Sequence, residues 1–339
     1  MITINLSSSA LSHSGCLLDF KYTVIDGLKE HASSSNIVYG EAVHAYIDMM
    51  FKTNGHIPTA MQAAIRKFNQ PKVSKTKSPH LDDQRHMISV AFGILERWIM
   101  EDRDFSLLML DLECWNCGGK GMVLGQEFSE GSTCPWCKGA GHYVRPATEL
   151  TFSFPYYKDE FITVNLEGTI DSIGKIKNGI VAIRDWKTTS TWDKKSFFFP
   201  YRMSKQLRFY TLALKLMSKC YPESQLGKLS AGTVGTLIDA IFIKPDSNDS
   251  SCERSEVFVF DDSDINAFES LLNTFIKRLS SQVAQNLWPK EGILSGACDR
   301  KYGLCPFFVA CSVKEEQSKA ILSREFKVQK FNPLNYSGL

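Results

Sequence analysis

The chain has no surplus of charge. Its 39 Lys and Arg against 37 Asp and Glu leave a formal net charge of +2 over 339 residues. No overall basic field draws in a polyanion, so any nucleic-acid binding must use local patches. Long apolar runs are also absent. Nothing approaches the roughly 18 consecutive apolar residues of a membrane-spanning helix, so contact with a membrane is not expected. The opening stretch, MITINLSSSALSHSGCLL, has neither a charged n-region nor a long apolar core, so a secretory leader is not expected. The ten cysteines would point to disulfides only in a secreted chain; in a reducing compartment their spaced groups read as metal ligands. A hydrophobic content of 43% is ordinary for a globular protein, and the length suits one large domain or two modest ones.

What is present begins with a repeat. Cys114-Trp-Asn-Cys117-Gly-Gly-Lys-Gly is followed by Cys134-Pro-Trp-Cys137-Lys-Gly-Ala-Gly. The spacing C-x2-C-x16-C-x2-C is that of a tetrahedral zinc site with four cysteine ligands. Each pair closes a tight knuckle, and the glycines allow the backbone to turn toward the thiolates. The repeat resembles the cysteine-rich module of DnaJ-type chaperones. A structural role suits an insert too short for its own core. In the alternative, Trp115 and Trp136, with Lys138 and His142, contact nucleic acid by stacking and charge.

The second signal is Glu167 to Thr188, EGTIDSIGKIKNGIVAIRDWKT, which reads as two strands joined at Asn178-Gly179. Alternation puts Asp185 and Lys187 on one face of the second strand. A two-residue turn would set Asp171 opposite Trp186. A three-residue loop, with Gly179 left-handed at a bulge, sets Asp171 opposite Asp185 and is the expected register, or else a bulge at Gly174 compensates. Two carboxylates on one face suit a hard cation such as Mg²⁺ or Mn²⁺, and a lysine beside them suits phosphodiester hydrolysis. The bland alternative is an exposed polar hairpin with an ordinary Asp-Lys pair.

D-x13-D-x-K followed by a helix with Gln206 and Tyr210 at i and i+4 resembles the PD-(D/E)XK nucleases. The RecB-type branch, with AddB and the CRISPR-adaptation exonucleases, is the most similar. Gly40-Glu-Ala-Val-His44 resembles its G-x-x-x-H motif, and Glu149 begins a strand where the family often carries an acidic residue. Ser7 to Phe20, with Cys16, resembles its N-terminal segment. Cys298, Cys305 and Cys311 resemble its cysteine triad, here C-x6-C-x5-C where many members have C-x2-C-x5-C. The resemblance implies that His44, Asp171, Asp185 and the Trp186 carbonyl hold Mg²⁺ or Mn²⁺, with Lys187 catalytic. It implies that Gln206 steadies the site and that Tyr210 lies near a DNA phosphate. It also implies a 4Fe-4S cluster on Cys16, Cys298, Cys305 and Cys311, stapling the first helix to the C-terminal segment. By spacing alone those residues suit zinc or unrelated thiols equally well, and a lone cysteine such as Cys16 is usually core.

Along the chain, the pattern predicts a helix from Cys16 to Glu30, then two helices in 36–69 split at Asn54–Pro58. The first carries the stripe Val43, Tyr46, Ile47 and Met50, with His44 beside it and Asp48 placed for a local His-Asp pair. A Pro-bounded loop with Lys72, Lys75 and Lys77 precedes an amphipathic helix over 81–110, with Met87, Val90, Ile94, Leu95, Trp98 and Ile99 inward. Strands follow at 148–154 and 161–170. A loop at 188–201 lies over the site, where Lys194, Lys195 and Phe197–Phe199 either grip a substrate or simply form a partly buried loop. A helix at 202–220, strands at 240–244 and 256–260, a polar loop at 245–255 and a helix at 262–287 complete the core. Cys252, in that polar loop, reads as a free thiol, and Cys220 is unassigned.

The expected fold is α/β: a restriction-endonuclease-like mixed central sheet flanked by helices, with a zinc-ribbon-like insert and an iron-sulfur staple. The expected division is an N-terminal helical part (1–110), the zinc insert (111–145), the nuclease core (146–287), the Cys-rich segment (288–311) and a tail (312–339). The expected function is a metal-dependent DNA nuclease, an exonuclease on DNA ends or single strands. By family analogy it works in the bacterial cytoplasm, host-encoded or phage-encoded, in recombination or repair beside a helicase or recombination partner. The first rival is a non-cleaving nuclease-like module for DNA binding or complex assembly, which the complete D…D-x-K set opposes. The second is a DnaJ-like thiol or client-binding protein, which the absence of a His-Pro-Asp tripeptide opposes.

Overall fold

The structure is a computed structural model that describes residues 1–31, 35–68, 81–113, 122–125, 128–133, 138–191, 193–243, 250–300 and 303–329. Its centre is a mixed sheet of eight strands among the described residues: β1 (Ile2–Leu6), β2 (Phe105–Leu107), β3 (Thr148–Lys158), β4 (Ile162–Ile176), β5 (Val181–Thr189), β6 (Val234–Phe242), β7 (Ser251–Arg254) and β8 (Phe258–Val259). Five helices matter here: α1 (Ser35–Lys52), α2 (Ile57–Phe68), α3 (Leu81–Glu101), α4 (Lys205–Cys220) and α5 (Asp262–Gln285). No described helix is long and apolar enough to cross a membrane.

The long strand β4 is the spine. On one edge it pairs with β3 and then β2. On the other it runs parallel to β1 as far as Leu6–Leu166, then antiparallel to β5 from Arg184–Ser172. That second edge therefore forks across residues 167–171. Parallel strands need a crossover, and α4 supplies it between β5 and β6. β6 is buried along its whole length, which explains its near-continuous apolar sequence. Its outer edge pairs with β7 and β8.

Helices cover both faces. The stripe Val43, Tyr46, Ile47 and Met50 of α1 packs with α2 and α3 over Trp186, Ile241 and Cys252. On the other side, Leu207, Tyr210 and Leu214 of α4 and Ile265, Leu272 and Ile276 of α5 pack over Ile183, Ile238 and Phe242. Ser204 caps α4 by accepting the Leu207 N–H at 3.3 Å, and Asp261 caps α5 by accepting the Asp264 N–H at 2.8 Å. The sheet draws on the N-terminal third of the chain as well, since β1 and β2 belong to it.

Several expected boundaries move. The helix after Cys16 covers only Leu17–Phe20, continues as one π turn to Ile25 and stops at Gly27, whose φ is +69°. Leu28–Glu30 is then a strand paired with Phe326–Val328, which is where the C-terminal tail goes. The helix expected to reach 110 ends at Glu101, because Asp102 turns to accept the Asp104 and Phe105 N–H groups at 3.3 and 3.2 Å. The loop at 188–201 contains a helix, Lys194–Phe198, and a 3-10 turn, Phe199–Met203. Ser251–Arg254, expected as polar loop, is strand β7, which buries Cys252. The Cys-rich segment holds short helices at Gly292–Ser295 and Phe308–Ser312.

Two strand pairs of the segment expected to bind zinc are described. Met109–Glu113 pairs with His142–Pro146, bringing the ends of the insert side by side, and Met122–Gly125 pairs with Phe128–Thr133. Cys114, Cys117, Cys134 and Cys137, with Trp115 and Trp136, lie outside the described residues, as do Lys72, Lys75 and Lys77 and the side chain of Met87.

Candidate active site

The fork in the sheet is where the chemistry-bearing side chains gather. Its geometry starts from the turn. The Gly179 N–H donates to the Ile176 carbonyl at 2.8 Å, the Ile176 N–H donates to the Ile180 carbonyl at 3.0 Å, and Gly179 has φ +83°. This is the three-residue loop. Pairing runs from Val181–Lys175 to Arg184–Ser172, and one further step sets Asp185 opposite Asp171. There the ladder gives way, and Asp171 Oδ2 accepts the Trp186 N–H at 2.8 Å. The Trp186 ring is buried under α1.

On the other edge of β4, Glu149 sits opposite Asp171, between the pairs Thr148–Ser172 and Leu150–Ile170. Its φ is +45°, in the left-handed region where a residue with a Cβ is strained. Helix α1 delivers His44. Asp48 does not pair with His44. It accepts from Thr148 Oγ1 at 2.8 Å and binds Lys52 at 2.8 Å, which ties α1 to β3 one residue before Glu149. His44 Nδ1 is left 3.5 Å from Asp171 Oδ2 and 3.8 Å from Glu149 Oε1. These three ligand atoms lie within 4.8 Å of one another.

Beside this trio, Asp185 is only 1% exposed and ion-paired through Oδ2 to the Lys187 ammonium; its Oδ1 has no hydrogen-bond partner among the described residues. Lys187 Nζ donates to Gln206 Oε1 at 3.1 Å, and Gln206 Nε2 donates to the Tyr210 hydroxyl at 3.3 Å. One face of α4 thus links the lysine to the tyrosine.

The charges hold each other. Burial lifts the Asp185 carboxyl to about 6, even against the pull of Lys187. Burial also raises Asp171, with His44 pulling it back. Burial would lower His44, yet Asp171 and Glu149 outweigh it and push the imidazole up to about 9. Burial would likewise lower Lys187, yet Asp185 and Asp171 outweigh it and raise the ammonium above its usual value. Tyr210 is pushed up to about 12 by burial and by the two aspartates. The donor set of two carboxylates and one imidazole, with an unsatisfied buried aspartate oxygen alongside, suits a hard divalent cation in place of the imidazolium proton.

Directly beneath, on the opposite face of β5, lies a buried ionic knot. Arg254 binds Asp239 in two-pronged fashion at 2.7 and 2.7 Å, and Asp102 likewise at 2.9 and 2.7 Å. Arg184 donates to Asp102 at 3.0 Å and to Ser172 Oγ at 3.1 Å, and stacks 4.0 Å from the Phe105 ring. Burial draws Arg184 down to about 10. Arg184 is visible in the sequence as part of a charged cluster, but no local signal marks Asp102 or Asp239 as its partners, or Arg254 as the arginine that shares them.

A second gathering joins the N-terminal and C-terminal segments. Cys16, Cys298, Cys305 and Cys311 line one cavity of about 220 Å³ together with Asp19 and Lys290. All four are free thiols. A Cβ on Gly292 would meet Cys298 Sγ at 2.7 Å. Lys194 and Lys195 lie on the short helix after β5; Lys194 binds Glu253 at 2.5 Å and Lys195 is exposed. Phe197 and Phe198 turn inward onto Phe242, and only Phe199 of that run is exposed.

A family model described as the PD-(D/E)XK nuclease superfamily matches residues 5–312. No curated protein matches the chain.

Proposed function

The chain belongs to the PD-(D/E)XK nuclease superfamily, and from that membership we propose that it is a metal-dependent deoxyribonuclease, an exonuclease that hydrolyses phosphodiester bonds at DNA ends or on single strands. The observation that carries the reading is the convergence of His44, Glu149 and Asp171 at the fork, with the Asp185–Lys187 pair beside them. His44, Glu149, Asp171 and Asp185 would hold Mg²⁺ or Mn²⁺, with the Trp186 carbonyl as a further oxygen. When bound, the ion supplies Lewis-acid charge that acidifies an attacking water and screens the phosphate. Lys187 orients that water and stabilises negative charge developing on the phosphate oxygens. Gln206 fixes the direction of the Lys187 ammonium, and Tyr210, held by Gln206, faces the phosphate backbone. Burial of Asp185, only 1% exposed, strengthens its pairing with Lys187.

Glu149 replaces Asp185 in the tightest group, so the ligand set is wider than the resemblance implied. The test is cleavage of end-labelled single- and double-stranded DNA with Mg²⁺ or Mn²⁺, beside Asp185→Ala. Metal-dependent digestion that the mutant lacks is the expected result. No digestion of any DNA by metal-loaded protein would refute it and favour the non-cleaving binding module.

A 4Fe-4S cluster on Cys16, Cys298, Cys305 and Cys311 is part of the same reading. The cavity that the four cysteines share supports it, and the choice of iron-sulfur over zinc follows the family resemblance. The cluster would staple the N-terminal helix to the C-terminal segment. Anaerobic protein should carry about four iron and four labile sulfide per cluster, and zinc in their place would refute it. The four-cysteine zinc site of the insert rests on its sequence spacing.

A further inference from the structure

Residues 193–203 connect β5, which carries Lys187, to α4, which carries Gln206. Asp193 starts the segment by accepting the Ser196 N–H at 3.1 Å, and the 3-10 turn Phe199–Met203 ends it. The segment is fixed from below. The Phe197 and Phe198 rings meet Phe242 edge-on at 5.3 and 6.0 Å, and Arg208 of α4 donates to the Arg202 carbonyl at 3.0 Å. Tyr201, in the middle of the turn, lies within electrostatic reach of Lys187.

Two large apolar side chains of the segment stay largely exposed, although Arg208 also donates to the Met203 sulfur at 3.7 Å. Phe199 is 69% exposed and Met203 is 77% exposed, about one turn apart. The Arg202 guanidinium lies 5.7 Å from the Phe199 ring and pairs on the surface with Glu256 at 2.6 Å. Single exposed apolar residues are common. An exposed aromatic ring with a cation beside it, on an anchored segment that joins the Lys187 strand to the Gln206 helix, is a narrower combination. The geometry points to Phe199 as a stacking platform for an unpaired nucleobase of the substrate strand. Met203 extends the apolar surface, and Arg202 exchanges Glu256 for a phosphate of the same strand. An exposed ion pair is held too weakly to resist that exchange. Every base has a π-face, so this platform favours single-stranded nucleic acid without reading its sequence. The inference rests on the nuclease reading and adds the substrate form that the site prefers.

The experiment measures binding of a fluorescein-labelled single-stranded oligonucleotide and of a blunt duplex, in EDTA so that neither is consumed. Wild type is compared with Phe199→Ala, Phe199→Trp and Met203→Ala. Wild-type digestion with Mn²⁺ is recorded separately. Phe199→Ala is expected to bind the single strand on the order of 10- to 100-fold more weakly, with Trp restoring it. The blunt duplex should lose less than about threefold, because its bases are not free to stack. A 2-aminopurine at the strand terminus should be quenched by wild type and not by Phe199→Ala. Unchanged thermal unfolding will show that the exposed ring was not structural. If wild type digests DNA while Phe199→Ala binds the single strand as tightly as wild type, the platform is refuted and the nuclease stands. Equal loss on both substrates also refutes stacking. If wild type neither binds nor digests any nucleic acid, the nuclease reading itself fails.

Discussion

Glu167 offers a test of the fold that does not depend on catalysis. It lies on β4 in the fork, is only 2% exposed, and its Oε1 has no hydrogen-bond partner among the described residues. Burial alone lifts its carboxyl from 4.5 to about 7. Between those values the folded chain keeps a proton that the unfolded chain has released, so stability is greatest below the unfolded value and falls as pH rises through the folded one. At 1.36 kcal/mol per tenfold change, the loss amounts to at most about 3 kcal/mol. An unfolding entropy of about 2.1 cal/mol/K per residue over 339 residues converts that to about 4 °C in Tm. The perturbation is Glu167→Gln, which keeps the shape and removes the ionisation. Thermal unfolding of wild type and mutant would be compared at pH 5 and pH 8. Other groups, Asp185 among them, titrate in both proteins, so the difference between them isolates Glu167. The mutant should match or slightly trail wild type at pH 5, where its amide adds a buried donor, and exceed it by up to about 4 °C at pH 8. Parallel pH profiles for the two proteins would refute the claim that this carboxyl is buried without a partner.

Other perturbations address the site and its support. Lys187→Ala, like Asp185→Ala, should abolish DNA digestion while far-UV circular dichroism stays native, and activity retained in both would sink the assignment. Glu149→Gly should relieve backbone strain of about 1 kcal/mol, raising Tm slightly while weakening Mn²⁺ binding by calorimetry; unchanged metal affinity would remove Glu149 from the ligand set. Gly174→Ala should destabilise by roughly 1–3 kcal/mol in urea unfolding, because a Cβ there collides with the Phe105 ring and lies 2.6 Å from the Ser106 carbonyl. Asp102→Asn should cost about 3–5 kcal/mol by leaving Arg184 and Arg254 underpaired. Despite burial, Arg254 and Arg184 hold Asp102 below the usual carboxylate range, so its contribution is present above pH 3.8 and fades only as pH falls through the lower folded value. A wild-type acid-unfolding midpoint unchanged by Asp102→Asn would count against this.

What could be read in the sequence was local. Asn178-Gly179 offers two turns, and the demand that Asp171 meet Asp185 selects the one observed. The α1 stripe and the α4 spacing of Gln206 and Tyr210 follow from helical periodicity. Failures came where distant residues decide. Ser251-Cys-Glu-Arg254 is polar enough to read as loop, and becomes strand because β6 offers an edge and Asp239 and Asp102 hold Arg254. The helix before Asp102 overran because nothing nearby reveals that this carboxylate has two arginine partners. Glu149 was visible as an acidic residue, but its left-handed backbone and its place opposite Asp171 depend on β3–β4 pairing.

The fork and the ionic knot belong to one design, because both are set by β5. Its successive residues alternate in direction, Asp185 and Lys187 toward α4, Arg184 and Trp186 toward α1. Burying Asp185 raises its carboxyl, so the fold must hold it against the tendency to move toward water. Lys187 supplies the opposing charge, but an ion pair alone does not fix position. Arg184, one residue earlier, is bound to Asp102 and Ser172 and packed on Phe105, which joins β5 to β4 and to the end of α3. A strand anchored that way cannot slide toward the fork when the charge there changes. β1 stops at Leu6, where Ser7 turns the chain by accepting the Ala10 and Leu11 N–H groups, and the gap this leaves along β4 is where Asp171 reaches the Trp186 N–H. The site is therefore a place where the sheet withholds backbone partners and anchors the neighbouring strand from its far face, so that carboxylates rather than main chain fill the opening.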